Sequence, residues 1–176
     1  RTYYVLESDT LLSCEDIGAA NTLSYSIDVR EFDIAKAFSQ PRIAVRLKSH
    51  ELSYYYYHLW ATRPSSAVTY FVYRLVDNCG LFKRTNLGFS LDADYLMTGD
   101  IHKLEIIEEG DDLVAHLDIG FKLVDMEDDK VILRVSRDLS GILANKSINE
   151  FAATISSLLT SAAKDYLAQV NDLLNQ

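Results

Sequence analysis

The residues of this chain best placed to do chemistry are His102 and His116, which lie on either side of the turn-forming run Glu109-Gly110-Asp111-Asp112. A hairpin there would bring the two rings toward each other, and Asp100 or Asp118 could then complete a metal site able to activate water. Against that, the four histidines, His50, His58, His102 and His116, show no short-spaced ligand pair, so the spacing favours solvated positions on an exposed sheet face. Acidic groups at Glu108, Glu109, Asp111 and Asp112, and at Asp125, Glu127, Asp128 and Asp129, also fall in turns. Neither run matches a calcium loop with its distal bidentate glutamate. There is no Gly-rich phosphate loop, no Gly-x-Ser-x-Gly elbow, no His-Glu-x-x-His and no Cys-x-x-Cys. The chain therefore reads as non-enzymatic, with no catalytic residue, metal or cofactor expected.

Two further groups of residues invite a functional reading. Cys14 and Cys79 are too few for a metal cluster or a disulfide framework, which leaves either one bridge in an oxidising compartment or two buried thiols. The stretch Ser53-Tyr54-Tyr55-Tyr56-Tyr57-His58-Leu59-Trp60 concentrates four tyrosines and the single tryptophan just before Pro64. As a strand it would put Tyr55, Tyr57 and Leu59 on one face and Tyr54, Tyr56, His58 and Trp60 on the other. Rings on both faces mean burial on both sides or one face kept for a partner. Tyr54, Tyr56, Trp60 and Arg63 are accordingly the candidate partner or lipid contacts.

The elements that must position these residues follow from hydrophobic period. Strands are expected at Tyr3 to Leu6, Tyr25 to Val29, Ile43 to Leu47, the tyrosine stretch and Leu81 to Asn86, followed by a meander of Tyr95 to Glu108, Leu113 to Val124 and Val131 to Leu139. In the middle strand of that meander Leu113, Ala115, Leu117, Ile119, Phe121 and Leu123 oppose His116, Asp118 and Lys122, which leaves one face solvated. Helices are expected from about Ser65 to Cys79, closed by a left-handed Gly80, and from the capping sequence Ser147-Ile148-Asn149-Glu150 onward. Residues 9–22, the Phe32 to Pro41 connector, the Leu87 to Asp94 link and Ser140 to Lys146 carry no clean period and read as loops, the connector with one helical turn. About seven strands and two helices with no βαβ rhythm predict an α+β fold, a single mixed or antiparallel sheet with two helices packed on one face.

With 176 residues, 48% apolar, the chain suits one domain spanning 1–176. A net charge of −9 and a pI near 4.8 argue against nucleic acid or an anionic membrane surface as main partner. No apolar run approaches the roughly 20 residues needed to span a bilayer. The first residue is Arg1, so a mature or trimmed form is expected, with any signal or anchor upstream. Leu11-Leu12-Ser13-Cys14 imitates a lipoprotein cleavage box, but Glu7 and Asp9 precede it and no apolar signal core does.

Taken together, several marks resemble the ABC-type transport auxiliary component family, the paraquat-inducible-type lipoproteins associated with Mce lipid-transport systems. They are Tyr3-Tyr4-Val5-Leu6, Pro41-Arg42-Ile43-Ala44-Val45-Arg46, Leu52 to Trp60 completed by Ala61 and Pro64, Asp94-Tyr95-Leu96-Met97-Thr98-Gly99, and the long helix after Ser147. The resemblance covers essentially the whole chain. It implies a non-enzymatic envelope protein tethered to the periplasmic face of the outer membrane by a lipidated cysteine upstream of Arg1. It further implies an Mce-domain protein and an ABC transporter complex as partners, homo-oligomeric assembly against the end of an Mce tube, and phospholipid as cargo or ligand.

Overall fold

The structure, a computed structural model, describes residues 1–8 and 11–176. Asp9 and Thr10, at the start of the expected 9–22 loop, lie outside the described residues. The strands are β1 (Thr2–Tyr4), β2 (Leu23–Val29), β3 (Asp33–Ile34), β4 (Arg42–Lys48), β5 (Glu51–Trp60), β6 (Phe82–Leu87), β7 (Tyr95–Glu109), β8 (Asp112–Asp125) and β9 (Lys130–Ile142). Two helices accompany them, α1 (Pro64–Cys79) and α2 (Ile148–Leu174). The fold is α+β: one open, mixed sheet with α1 and α2 packed together against it. No helix among the described residues is long and apolar enough to cross a membrane.

β7 is the spine of the sheet. Along one edge it pairs antiparallel with β8 from Tyr95↔Asp125 to Glu109↔Asp112, and β8 in turn pairs antiparallel with β9. Along the other edge it meets three strands in succession, all parallel: β2 at Tyr95 to Met97, β3 at Asp100 and Ile101, and β4 at Glu105 to Ile107. β2 carries β6, and β4 carries the hairpin partner β5, on whose far side β1 forms the sheet edge. Three of the long elements follow the periodicity of the sequence. β8 buries Leu117, Ile119, Phe121 and Leu123, and α1 buries Val68, Phe71, Val72, Leu75, Val76 and Cys79 before stopping at Gly80. Gly80 adopts φ 71°, a conformation that costs a residue with a Cβ, and its N–H is donated to the Asp77 carbonyl. α2 starts at Ser147, whose Oγ accepts the Asn149 N–H, and buries Phe151, Ile155, Leu159, Tyr166 and Leu167.

Two expectations need correction. The connector after Phe32 contains a short strand, β3, whose Asp33 and Ile34 pair in parallel with Asp100 and Ile101 of β7. Ser140 and Gly141 belong to β9, not to a loop, paired with His116 and Ala115. Glycine suits the close approach there, because a Cβ would lie 2.9 Å from the Thr154 methyl of α2 and force one of the two to shift. A second close approach occurs at Gly99 of β7, where a Cβ would lie 2.8 Å from the ring of Phe32. That ring is buried edge-on against Phe121, and the Phe32 N–H is donated to Thr69 Oγ1 at 2.9 Å, so Phe32 wedges α1 onto the sheet.

Candidate contact surface

The tyrosine strand owes its arrangement to a break in register. Tyr54, Ser53 and Leu52 stand opposite Ala44, Val45 and Arg46, yet Leu59 stands opposite Arg42, so β5 runs extra residues past β4 between Tyr54 and Leu59. A bulge of this kind interrupts the two-residue alternation, and the four tyrosines divide into two half-buried and two exposed neighbours. Tyr54 is half-buried, and its hydroxyl donates to the Ala37 carbonyl at 2.8 Å. Tyr55 packs against the core and edge-on to His58, with centroids 5.5 Å apart. Burial, and secondarily the charge of Glu108, raises its phenol pKa, so it stays protonated. Tyr56 and Tyr57 project outward, 59% and 61% exposed, with rings edge-to-face at 4.7 Å. The Arg42 guanidinium carbon lies 5.3 Å from the Tyr56 ring centroid, a cation–π distance that holds the ring in place.

After the bulge the strand resumes with Trp60 turned to the helix side. Trp60, a contact candidate on sequence, is 4% exposed and tilted against Phe151 of α2 at 5.5 Å, so it is a core residue. His58 Nδ1 and the Tyr4 hydroxyl share a 2.8 Å hydrogen bond that fastens β1 to β5. Tyr3, 58% exposed, is the register partner of Leu59, which on its other side stands opposite Arg42, so Tyr3 and Arg42 share a sheet face with β5 between them. Arg63 is exposed at the start of α1, where its carbonyl accepts the Ala67 N–H. The exposed aromatic surface thus comprises Tyr3, Tyr56, Tyr57 and Arg42. Tyr57, Tyr3 and Arg42 were not singled out on sequence, because strict alternation put Tyr57 on the opposite face.

The approach of His102 to His116, which the spacing ranks below solvated positions on the sheet face, does not occur. Ile101 pairs with Ile119 and Lys103 with Asp118, which leaves His102 exposed in a bulge of β7. His116 instead accompanies Glu105 and Asp138: Nδ1 lies 3.2 Å from Glu105 and Nε2 2.6 Å from Asp138. Glu105 is fully buried and also accepts the Arg46 Nε–H at 2.6 Å. Burial alone would raise the Glu105 pKa, but the hydrogen bonds and charges of His116 and Arg46 outweigh it and hold it below the ordinary value. The hydrogen bond to Glu105, opposed by burial and aided by Asp138, raises the His116 pKa. This network ties β4, β7, β8 and β9 together. No cluster of three or more His, Cys, Asp or Glu able to hold a metal ion occurs among the described residues. The Glu105–His116 pair was readable, since a turn between Glu109 and Asp112 sets those residues opposite each other. Arg46 was not, because it comes from a strand 59 positions away.

Two half-open grooves flank the outer side of α1. One, of about 590 Å³, is lined by Val5, Leu6, Leu11, Tyr70, Phe71 and Arg74. The other, of about 500 Å³, is lined by Val29, Arg30, Thr69, Tyr70, Leu87 and Phe89, with Tyr70 shared between them. Beside the second, Phe89 and Leu91 are almost fully exposed on a link held by hydrogen bonds from Gly88 N–H to the Val29 carbonyl and from Ser90 N–H to Asp28 Oδ2. Phe89 itself sits at φ 58°.

Comparison with known proteins agrees with this architecture. The chain is similar to a crystal structure of a Xanthomonas campestris protein of the DUF330 family, at TM-score 0.84 and 19% identity, covering 99% of this chain and 97% of that one. It is also similar to the PelC dodecamer of Paraburkholderia phytofirmans, at TM-score 0.53 and 11% identity over 84% and 90% of the two chains. A hypothetical protein from Chlamydia trachomatis matches at TM-score 0.54 and 9% identity over 86% and 98%. These likenesses are of fold. No curated protein matches the sequence. The model of a family described as ABC-type transport auxiliary lipoprotein component matches residues 8–166.

Proposed function

Because the chain belongs to the ABC-type transport auxiliary lipoprotein family, we propose that it is a non-enzymatic adaptor of an Mce-type ABC lipid-transport system. In this reading a lipid on a cysteine upstream of Arg1 holds it at the periplasmic face of the outer membrane. The chain then engages neighbouring copies, an Mce-domain protein or the transporter complex through Tyr3, Tyr56, Tyr57 and Arg42. The observation that carries it is the β5 bulge, which turns Tyr56 and Tyr57 to solvent while Trp60 and Tyr55 anchor the strand. Tyrosine rings with few rotatable bonds and a polar tip are suited to contact, and a surface of them on a fixed strand loses little entropy on docking. That the PelC protein of similar fold forms a dodecamer supports self-assembly as part of the role.

Photo-crosslinking in intact cells from positions 56 and 57 tests it. Capture of a second copy, an Mce-domain protein or a transporter subunit is expected, and the combined Y56A and Y57A changes, made in protein that carries the photoreactive residue at the exposed position 3 instead, should abolish capture from that position with far-ultraviolet circular dichroism unchanged. Undiminished capture in the doubly substituted protein would refute it. The two grooves beside α1 favour a second reading, a direct lipid carrier, since predominantly apolar clefts of several hundred Å³ fit small ligands. Phospholipid recovered by mass spectrometry of gently purified protein would support that reading, and repeated absence would remove it.

A further inference from the structure

The only two cysteines of the chain stand 65 positions apart, yet they meet: the Cys14 thiol donates to the carbonyl of Cys79 at 3.2 Å. Both are free thiols in this structure. The backbone around them is fastened independently of the sulfurs. Cys14 opens a 3-10 turn, Glu15–Ile17, that packs against α2, and its carbonyl accepts the Ala19 N–H at 2.8 Å. Cys79 is the last residue of α1. Just beyond it, Thr22 Oγ1 donates to the Gly80 carbonyl at 3.0 Å and Leu23 N–H to the Leu81 carbonyl at 2.7 Å. The segment before β2 and the end of α1 are therefore already aligned.

We propose that Cys14 and Cys79 are a modification site, a thiol pair that closes to an intramolecular disulfide on meeting an oxidant that is itself a disulfide. Cys14, the more exposed thiol, attacks as thiolate, breaking the oxidant's S–S bond and forming a mixed disulfide while one sulfur leaves and takes a proton. The Cys79 thiolate then displaces the second sulfur. Both protein thiols have lost their protons, two electrons have passed to the oxidant, and two small thiols are released. Burial, with the neighbouring Cys14 thiol, pushes the Cys79 pKa up to about 11. The second displacement is thus the slow one, and it quickens roughly tenfold per pH unit below that value. The closed bridge staples the 11–22 segment to α1 and constrains a long loop of the unfolded chain. The melting temperature should rise by on the order of 10 °C. The inference is independent of the adaptor reading.

The test uses the reduced protein and glutathione disulfide. After incubation, thiols are blocked with a maleimide under denaturing conditions and the mass and peptides are read. Expected are no maleimide adducts, a mass two hydrogens lower, a linked peptide containing Cys14 and Cys79, and a melting-temperature gain reversed by dithiothreitol. Closure should be markedly faster at pH 9 than at pH 7. The Cys14→Ser protein, altered at the less buried position, should fold as before and show neither the linked peptide nor the gain. Two maleimide or two glutathione adducts at pH 9, covalent dimers, or a melting temperature indifferent to reductant would each overturn the proposal.

Discussion

The Arg46–Glu105–His116 network supports a prediction that can be worked through from its geometry. In the wild-type protein the buried Glu105 carboxylate has two cationic partners, Arg46 at 2.6 Å and His116 at 3.2 Å. Replacing Arg46 by methionine keeps the packing of its stem and leaves His116 as the one cation in contact. Removing a partner from a buried ion pair costs about 3–5 kcal/mol when the other charge is left uncompensated, and less when another cation remains. The sign follows from the shifts. The His116 pKa is raised, so its contribution is present below about pH 6.5, the ordinary histidine value, and is lost as pH rises through its folded pKa. The Glu105 pKa is lowered, so its contribution is present above the ordinary carboxylate range and is lost in acid. The network therefore stabilises most near pH 5.5, and wild-type stability should decline mildly toward pH 8. In Arg46→Met the decline should steepen. The substitution should cost about 1–2 kcal/mol at pH 5.5, where His116 is charged, and more toward pH 8, approaching about 3–5 kcal/mol as the ring loses its proton. Urea titrations at both pH values, with the slope compared to confirm an unchanged transition, give the numbers. In a further Glu105→Leu change, most of the loss at pH 8 should be recovered, because the buried charge is gone. An equal penalty at the two pH values, or no recovery in the double variant, would refute the reasoning.

Other outcomes follow from single contacts. Gly99→Ala drives a methyl into the Phe32 ring and should cost about 1–3 kcal/mol in chemical denaturation, with partial rescue by Phe32→Leu. Trp60→Ala empties a core position against Phe151 and should cost about 3–5 kcal/mol, whereas Tyr56→Ala and Tyr57→Ala should each stay within about 0.5 kcal/mol of wild type. A melting series comparing the three distinguishes core from surface directly. Gly80→Ala forces a Cβ into the left-handed cap of α1 and should lose about 1 kcal/mol by the same measurement.

What could be read in the sequence and what could not divides along physical lines. α1, α2 and the β7–β8–β9 meander were legible because each buries one side, and burial imprints a period. The turn residues between β7 and β8 even determine the register that sets Glu105 opposite His116. β3 was not legible, since two residues carry no period. The β5 bulge was not legible either: four identical side chains look the same whichever way each one points, and only the pairing with β4 reveals where alternation fails. For the same reason Trp60 was read as a contact when it is core, while Tyr57 was passed over. Arg46 joins Glu105 through a parallel strand pair whose two members are far apart in sequence, and no local pattern announces that neighbour.

The arrangement of β7 bears on how the chain is made. β2, β3 and β4 all lean on an edge that is translated only after them. While synthesis is under way β2 can join β6 and β4 can join β5, but the edges of β2, β3 and β4 that face β7 have nothing to join, so a nascent chain short of residue 109 exposes three unpaired edges at once. Such a polypeptide gains from a holding chaperone until the late segment arrives. A protein that crosses a membrane before folding would meet that requirement naturally, since its early strands are kept from settling until the whole is delivered.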